Sequence, residues 1–261
     1  MTHAARVKRP VQDVDGAGNR ESMQVNEAPL PRRFGRYIAG LRENPPGRML
    51  RYPDLPAQPW WDARQFSLCR DLESMSGQIS EEFYRLTSDH FQEEKESIAR
   101  AGDWKVSFLF EAGGFKNQRN TDACPVTTSI IEAHRTMGGL GGISYFSCLG
   151  PAATVAPHSG STNMRLRCHL GIEVPPGDCG IKVGGVQRRW EAARCMVFDD
   201  SFEHEAWNSS SLRRVVLIVD FWHPDLSDDE VSLITGFRRH AVNTGLGVLR
   251  YRQQTVLDRP R

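Results

Sequence analysis

Short apolar runs rich in Val, Ile, Leu and aromatic residues follow one another from Trp104 onward, with Gly, Pro and Asp between them. Runs of this length and composition predict β-strands, and their close spacing favours an all-β barrel or sandwich. The predicted strands cover residues 104–113, 143–150, 164–175, 180–185, 195–200 and 213–222. Two helices are expected beside them, a short one over 124–137 and a C-terminal one that begins at Ser227-Asp228-Asp229.

The chain before Trp104 has a different pattern. Residues 68–99 carry apolar side chains at helical spacing among charged ones, which predicts one or two amphipathic helices with Ser80 as a candidate N-terminus. Residues 31–66 are rich in proline and aromatic residues, which indicates an irregular wrap. We expect Trp60 and Trp61 to anchor this wrap in the core.

These changes in pattern also predict the domain boundaries. Residues 1–30 are polar and show no periodicity, which indicates a disordered or loosely packed N-terminal arm. Residues 31–261 are expected to form a single domain, with a helical and irregular wrap over 31–103, a β core over 104–225 and the C-terminal helix within 226–261. The expected fold class is therefore mainly β, with flanking N-terminal and C-terminal helices.

Composition and charge exclude several kinds of function. The 261 residues carry a formal net charge of +1, so no long-range field favours nucleic acid or an anionic membrane as a partner. The sequence shows no apolar run of the ~20 residues that a transmembrane helix needs and no secretory signal, so we expect a cytoplasmic protein. Its six cysteines are expected to be free thiols in this reducing compartment, although a Cys124–Cys179 disulfide stays open.

Residues 164–171, MRLRCHLG, place cationic side chains on one face of a strand. Because side chains alternate along a strand, Arg165, Arg167 and His169 share one face and the apolar side chains share the other. Such a cationic face is expected to meet a wet cavity or an anion, since arginine pairs well with a carboxylate or a phosphate. An exposed strand face with ordinary charges is the alternative.

Two histidines and an arginine add candidate chemistry. His158 lies in PHSGSTN, where Gly160 occupies the position that holds a carboxylate in a His-x-Asp metal motif. An ordinary turn before a strand explains this stretch equally well. His204 lies in the acidic segment FDDSFEHEAWN. Arg214 begins a nearly unbroken apolar strand, where a buried guanidinium needs an anionic partner.

The order of these residues resembles that of a known class of enzymes. His158, His204 and Arg214 follow the order His-x-(Asp/Glu)…His…Arg of the non-haem iron, 2-oxoglutarate-dependent oxygenases. More specifically, PHSGSTNMRLRCHLGIEVP, FDDSFEHEAWN and RRVVLIVDFWHPDL resemble signature segments of the aspartyl/asparaginyl β-hydroxylase family. That family has a double-stranded β-helix fold, which is jelly-roll or cupin-like. It binds iron with two histidines and no carboxylate, so Gly160 fits its pattern.

The resemblance implies an iron site and one end of a co-substrate site. His158 and His204 would bind Fe(II), while Ser147 and Arg214 would hold the distal carboxylate of 2-oxoglutarate. His158, His204 and Arg214 are therefore the candidate catalytic residues.

The resemblance also implies residues for the other end of the co-substrate. Arg167 and His169 would contact the part of 2-oxoglutarate that chelates iron, and Trp104 would line the same pocket. Arg165 shares the face of Arg167 and His169, so we add it as a candidate for binding a substrate carboxylate. His223, which follows the last predicted core strand, is interpreted as a structural residue.

The implied enzyme is a 2-oxoglutarate-dependent dioxygenase that uses Fe(II) and O2, releases succinate and CO2, and hydroxylates the β-carbon of an Asp-, Asn- or similar amino-acid unit. Animal members act on epidermal-growth-factor-like domains and carry a membrane anchor and helical repeats. We expect neither here, since residues 1–103 are too few for a repeat array and lack its period. Members that hydroxylate lipid A carry hydrophobic segments not seen here. We therefore expect a small-molecule, carrier-tethered or short-peptide substrate, and a monomer or homodimer.

Two other functions stay open from the sequence. A small residue at Gly160 leaves room for chloride on the metal, as in non-haem iron halogenases. A cupin-like binding or regulatory protein without catalysis is the second alternative, although both histidines and all candidate 2-oxoglutarate contacts are present. Products formed with and without chloride distinguish the first alternative from hydroxylation, and the absence of succinate would identify the second.

Overall fold

A computed structural model describes residues 31–43, 51–94, 98–111, 115–137, 142–243 and 254–255. The arm expected over residues 1–30 lies outside these described residues. Within Pro31–Arg261, the described residues belong to one compact unit.

Six α-helices are described, and short 3-10 turns lie at Ala63–Gln65 and Ser88–His90. The helices are α1 (Arg32–Glu43), α2 (Ser67–Ser74), α3 (Ser76–Arg85), α4 (Gln118–Ala123), α5 (Pro125–Ala133) and α6 (Asp228–Asn243). None of these described helices is both long enough and apolar enough to cross a membrane.

Fourteen strands are described, and every pair of neighbouring strands is antiparallel. They are β1 (Trp60–Trp61), β2 (Gln92–Glu93), β3 (Ala99–Ala101), β4 (Trp104–Glu111), β5 (Phe115–Lys116), β6 (Ser144–Leu149), β7 (Ala153–Ser159), β8 (Arg165–Glu173), β9 (Cys179–Val183), β10 (Val186–Arg188), β11 (Cys195–Phe198), β12 (His204–Asn208), β13 (Arg214–Trp222) and β14 (Gln254–Thr255).

The strands form two sheets. The larger sheet has the order β1-β11-β8-β13-β6-β4-β2, with β5 beside β4. The smaller sheet has the order β10-β9-β12-β7-β14, with β3 beside β7. Side chains from both sheets pack into one apolar cluster, including Val106, Val216 and Ile218 from the larger sheet and Val155 and Ile181 from the smaller. The two sheets therefore face each other across a shared interior, and the fold is mainly β, a double-stranded β-helix as expected.

The larger sheet is buried on both faces, as its central strand shows. In β13, Leu217 and Val219 pack in an outer cluster with α2 and α3, while Val216 and Ile218 pack in the interior between the sheets. A strand covered on both faces reads as a continuous apolar run rather than an alternating one. This explains the sequence of Arg214–Trp222 and leaves its single acidic residue, Asp220, without access to water.

Eight of the fourteen described strands were not predicted, and two of these, β7 and β12, carry a candidate metal ligand. β7 ends with His158 and Ser159, and β12 begins at His204. β7 contains a proline and small residues, and β12 is short and partly charged, so neither has a strong strand pattern. Their mutual pairing, together with the pairing of β12 with β9, stabilises them. Tertiary pairing therefore overrides weak local propensity here.

The N-terminal wrap is partly helical. Phe34 and Tyr37 of α1 pack with Tyr52, Trp222 and Ile234 in a third apolar cluster, which joins α1 to α6. Arg33 supports the same contact through an ion pair with Glu230, at 2.5 Å.

Two other expectations for this region have different outcomes. Trp60 and Trp61 form the short strand β1 on β11, so the expected anchoring of the wrap is confirmed. The expectation that Ser80 begins a helix is wrong, because α3 starts at Ser76 and Ser80 lies inside it.

Glu82 links two helices of the helical layer, α3 and α5. Its buried carboxylate on α3 accepts hydrogen bonds from the backbone N–H of Val126 (2.6 Å) and of Thr127 (3.0 Å), and from the Thr127 hydroxyl (2.7 Å). These amides belong to the first turn of α5, where helical N–H groups lack intrahelical acceptors. Glu82 therefore caps α5 from another helix and places its negative charge at the positive end of the helix dipole.

We predict that Glu82→Ala lowers the free energy of unfolding by about 2 kcal/mol or more, because it leaves buried amide donors without an acceptor. Glu81→Ala is the matched control, since Glu81 is exposed and its ion pair with Arg85 contributes only ~0.5 kcal/mol. Urea unfolding followed by circular dichroism measures both changes. Equal effects of the two substitutions would contradict the capping role.

Candidate active site

His158 and His204 lie side by side in the interior between the sheets. They are direct partners in the antiparallel pairing of β7 with β12, and their ring centroids are 4.1 Å apart. Both side chains are about 95% buried. Residues far apart in the sequence are thus brought into one pair by strand register.

A backbone carbonyl two residues earlier in the chain fixes each of these histidine rings. His158 Nδ1 lies 2.8 Å from the carbonyl oxygen of Ala156, and His204 Nδ1 lies 2.9 Å from that of Phe202. A carbonyl oxygen only accepts hydrogen bonds, so Nδ1 must carry the proton in both rings. The Nε2 lone pair is left available, which is the arrangement found in metal-binding histidines.

Burial keeps both rings neutral. It lowers the pKa of His158, and it lowers the pKa of His204 to about 3, with the neighbouring His158 contributing further. A neutral imidazole can bind a metal ion and a protonated one cannot. The two Nε2 atoms therefore form a candidate pair of metal ligands.

Gly160 lies against a buried carboxylate. A Cβ atom at Gly160 would lie 2.5–2.6 Å from the carboxylate atoms of Asp200. The Gly160 amide also donates to the Asp200 carbonyl oxygen at 2.6 Å. There is therefore no room for a side chain at position 160. The acidic group beside the histidines is Asp200, which belongs to a different segment of the chain.

Arg165, Arg167, Asp200 and Asp220 form a buried network of two cations and two anions. Arg165 binds Asp200 at 2.5 Å and lies 3.4 Å from Asp220. Arg167 binds Asp220 at 2.7 Å and lies 3.5 Å from Asp200. Burial raises the pKa of Asp200, but the two arginines outweigh it and lower the pKa below its usual value. The groups of the network are therefore individually charged, and their charges nearly cancel.

The predicted cationic face of β8 is real, but its anion is part of the protein. Leu166, Cys168 and Leu170 pack in the outer cluster, so Arg165 and Arg167 point to the interior as the alternation predicts. Arg165 is fully buried against the carboxylates of the network. This leaves no surface for a substrate, so the expectation that Arg165 binds a substrate carboxylate is replaced by a structural role.

Arg214 is a buried cation in a different situation. Its side chain is 2% exposed, and within the described part of the chain no carboxylate oxygen lies within 4.0 Å of its guanidinium. The guanidinium carbon lies 4.6 Å from the ring centroid of Trp190, and the buried Nε has no hydrogen-bond partner among the described residues. Burial lowers the pKa of Arg214 to about 10, so the group still carries its charge at neutral pH.

His169 supplies a second buried hydrogen-bond donor to the interior. The indole N–H of Trp190 donates to His169 Nδ1 at 3.2 Å. Because an indole nitrogen only donates, Nδ1 is the acceptor and the proton of the neutral ring lies on Nε2. This Nε2 is buried and has no hydrogen-bond partner in the part of the chain that the structure describes. Burial, followed by the charges of Arg167 and Arg214, lowers the pKa of His169 well below its usual value, so the ring is neutral.

Trp104 and Ser147 lie near Arg214 at one end of the larger sheet. Leu149 of β6 pairs with Arg214 on one side and with Trp104 on the other. The Trp104 indole donates to the Ser147 hydroxyl at 3.0 Å, which leaves the hydroxyl hydrogen free to donate elsewhere. Both residues are buried. The structure thus brings all the predicted co-substrate residues to the interior.

Trp190, Asp200 and Asp220 take part in the site although the sequence analysis did not assign them a role. Asp220 had a readable signal, because a lone acid in an apolar strand needs a cationic partner. It lies directly opposite Arg167 in the pairing of β13 with β8. Trp190 had no comparable signal, since it lies outside any strand.

His223 has the structural surroundings expected of it. It is fully buried, its Nε2 lies 3.1 Å from the Pro56 carbonyl oxygen, and its ring packs edge-on against Trp61. It therefore joins the N-terminal wrap to the end of β13.

The donor set fits a metal ion and a dicarboxylate. Two neutral imidazole nitrogens can bind a divalent transition metal and leave most of its coordination positions open. The unpaired guanidinium of Arg214, the Nε2–H of His169 and the hydroxyl of Ser147 are buried donors that an anionic ligand would satisfy. The interior therefore suits chemistry in which a metal and a small anion act together.

The family model for aspartyl/asparaginyl beta-hydroxylase matches residues 73–224, which is more than half of the chain. This range includes β4 to β13 and every residue of the candidate site.

Three relatives show how far the similarity extends. The aspartyl/asparaginyl beta-hydroxylase of Mus musculus is 36% identical over 183 residues, which cover 67% of this chain but only 25% of that protein. Aspartate beta-hydroxylase domain-containing protein 2 of Mus musculus is 34% identical over 211 residues, or 76% of this chain and 61% of that protein. The ornithine lipid ester-linked acyl 2-hydroxylase of Rhizobium tropici is 32% identical over 185 residues, or 67% of this chain and 64% of that protein.

The chain spans about a quarter of the mouse aspartyl/asparaginyl beta-hydroxylase and roughly three fifths of the other two relatives. The match of the family model covers the fold core and the site together. The chain therefore belongs to the aspartyl/asparaginyl β-hydroxylase family, a family of hydroxylases.

Proposed function

We propose that the protein is an Fe(II)- and 2-oxoglutarate-dependent hydroxylase that acts on an unactivated C–H bond. Its substrate would be an Asp-, Asn- or similar amino-acid unit in a small molecule, a carrier-bound aminoacyl group or a short peptide. The protein would work in the reducing cytoplasm. Its reaction would release succinate and CO2 as co-products.

The buried guanidinium of Arg214 supports this proposal most directly. A guanidinium buried among apolar groups without a protein carboxylate is costly, and a bound carboxylate removes that cost. Ser147 and Trp104 adjoin it at the same end of the sheet and would complete the pocket for the distal carboxylate. The donors fit a dicarboxylate such as 2-oxoglutarate.

His158 and His204 would hold the iron through Nε2. Their Nδ1–H bonds to backbone carbonyls fix the ring orientation before any metal binds, which favours affinity. Bound Fe(II), together with 2-oxoglutarate and O2, would supply the oxidising chemistry. The protein's own part is to orient the ligands and to exclude water.

Arg167 and His169 would contact the iron-proximal end of 2-oxoglutarate. Asp220 orients Arg167 through two hydrogen bonds, at 2.7 and 3.0 Å. Trp190 orients His169 and fixes its tautomer, so that Nε2–H can donate to an anionic oxygen. Asp220 and Trp190 are thus positioning residues in this proposal.

Asp200 argues against the halogenase alternative. The space beside the histidines that a small residue at position 160 would open is filled by the Asp200 carboxylate. The alternative of an inactive binding protein is disfavoured by the presence of both histidines together with the candidate 2-oxoglutarate contacts.

The names of the relatives suggest two substrate types. The mammalian name specifies aspartyl and asparaginyl units, and the Rhizobium tropici name specifies the acyl chain of a lipid. We propose the amino-acid unit, since identity to the former is higher over the same share of the chain. Succinate release with Asp- and Asn-containing peptides, compared with an ornithine lipid, tests this choice. Stimulation by the lipid alone would overturn it.

We predict that Arg214→Met raises the Kd for 2-oxoglutarate about 100-fold, because it removes the buried cation that pairs with a carboxylate. Arg213→Met is the matched control, since Arg213 is exposed and pairs with Glu173 instead. Isothermal titration of the metal-loaded variants measures both values. An unchanged Kd for Arg214→Met would remove the basis of the co-substrate site.

We predict that Trp190→Phe raises the Kd for 2-oxoglutarate about tenfold, because His169 loses the donor that fixes its tautomer and its ring becomes free to reorient. Trp207→Phe is the control, since the Trp207 indole donates to Asp178 at an exposed site. Nitrogen-15 NMR of the His169 ring reports the tautomer directly. A parent protein with its proton on Nδ1 would contradict the assignment.

We predict that Gly160→Ala lowers the free energy of unfolding by roughly 1–3 kcal/mol, because the new methyl group collides with the immobilised Asp200 carboxylate. The comparison is Gly77→Ala, where no atom lies within 4 Å and alanine favours helix α3 by up to ~1 kcal/mol. Urea unfolding should therefore give opposite signs for the two substitutions. A neutral Gly160→Ala would mean that Asp200 moves freely.

A further inference from the structure

Three cysteines that are far apart in the sequence meet on the outer face of the larger sheet. Cys69 belongs to α2, Cys168 to β8 and Cys195 to β11. Their Sγ atoms all lie within 4.8 Å of one another, and those of Cys69 and Cys168 are 3.7 Å apart. Among the described residues, no other three His, Cys, Asp or Glu side chains bring possible ligand atoms this close together.

Strand register and helix packing create this thiol cluster. Val197 lies directly opposite Cys168 in the pairing of β11 with β8, so Cys195, two residues before Val197, projects from the same face as Cys168. Helix α2 packs across this face and adds Cys69, whose carbonyl oxygen lies 3.7 Å from Cys195 Sγ. The cluster is thus built from three separately positioned elements.

The spacing suits metal coordination. A zinc–sulfur bond is about 2.3 Å long, so two sulfurs in a tetrahedral or trigonal site lie about 3.8–4.0 Å apart. The pair Cys69–Cys168 has this separation already, and the third sulfur needs a shift of less than ~1 Å to reach it. Thiolates are soft ligands that select Zn(II) and Cu(I) over harder cations.

We propose that Cys69, Cys168 and Cys195 bind one thiophilic cation of the Zn(II) or Cu(I) class as three thiolates. This site is separate from the histidine pair, because the three thiols point to the outer face of the sheet and the histidines to the interior.

The N-terminus of α2 favours a thiolate at Cys69. Cys69 lies in the first turn of α2, whose N-cap is Phe66, so the positive end of the helix dipole adjoins its sulfur. A bound cation displaces the thiol protons of the cluster when it binds.

Simple core packing describes Cys124 better than it describes this cluster. Cys124 is buried singly, and burial raises its pKa to about 12. Such a thiol stays protonated and acts as a small apolar side chain. The cluster differs because its three sulfurs contact one another at the meeting point of a helix and two strands.

The position of Cys168 gives the site a consequence for the interior. Cys168 lies between Arg167 and His169 on β8, with its side chain on the opposite face. A cation held there would tie α2 and β11 to the strand that carries these two side chains. Metal binding at the cluster is therefore expected to raise the thermal stability of the whole core.

Titration with Cd(II) tests the proposal in the full chain, reduced and treated with a chelator beforehand. Cd(II) bound to thiolates gives an ultraviolet charge-transfer band that histidine ligands do not give. We expect the band to saturate at one thiolate-bound Cd(II) per chain, and Zn(II) and Cu(I) to displace it. The same band is expected in His204→Ala, so that the result is independent of the histidine pair. No band in either protein would overturn the proposal.

Two variants identify the ligands. Cys195→Ser is chosen because Cys195 is the least buried of the three, and we expect it to weaken Cd(II) binding at least roughly tenfold and to reduce the band. Cys148→Ser is the matched control, since Cys148 is equally accessible and lies outside the cluster. Circular dichroism verifies that both variants fold. Equal Cd(II) affinity of the two variants would contradict the assignment.

Discussion

The buried ionic network of Arg165, Arg167, Asp200 and Asp220 is the constraint on which the site depends. Charges removed from water are costly unless each meets a partner in good geometry, and here each arginine contacts both carboxylates. The network links β8 to β13 and to the segment before β12. It therefore fixes the two sheets relative to each other beside the histidine pair.

This pairing determines which cation is left for a ligand. Arg165 and Arg167 both pair with carboxylates of the network, whereas Arg214 is a buried guanidinium without an acidic partner among the described residues. Trp190 contacts both Arg214 and His169, so one indole positions two donors for the same pocket. The pocket would then bind a small anion because the guanidinium of Arg214 has no acidic partner, and not because the site carries many positive charges.

Much of this arrangement could be read from the sequence, and the reasons for the failures are physical. Alternation correctly placed Arg167 and His169 on one face of β8, and the apolar run after Arg214 correctly indicated a buried strand. The partner of Arg165 was missed because Asp200 is distant in the sequence and in an irregular segment. β7 was missed because its stability comes from β12 and not from its own propensity.

The central claim is that His158 and His204 hold Fe(II) next to bound 2-oxoglutarate. Anaerobic addition of Fe(II) and 2-oxoglutarate to the chain, followed by visible spectroscopy, tests this most directly. We expect a weak metal-to-ligand charge-transfer band that requires both additions and that is lost in His204→Ala but kept in His223→Gln. A band of full intensity in His204→Ala, or no band in the parent protein, would contradict it.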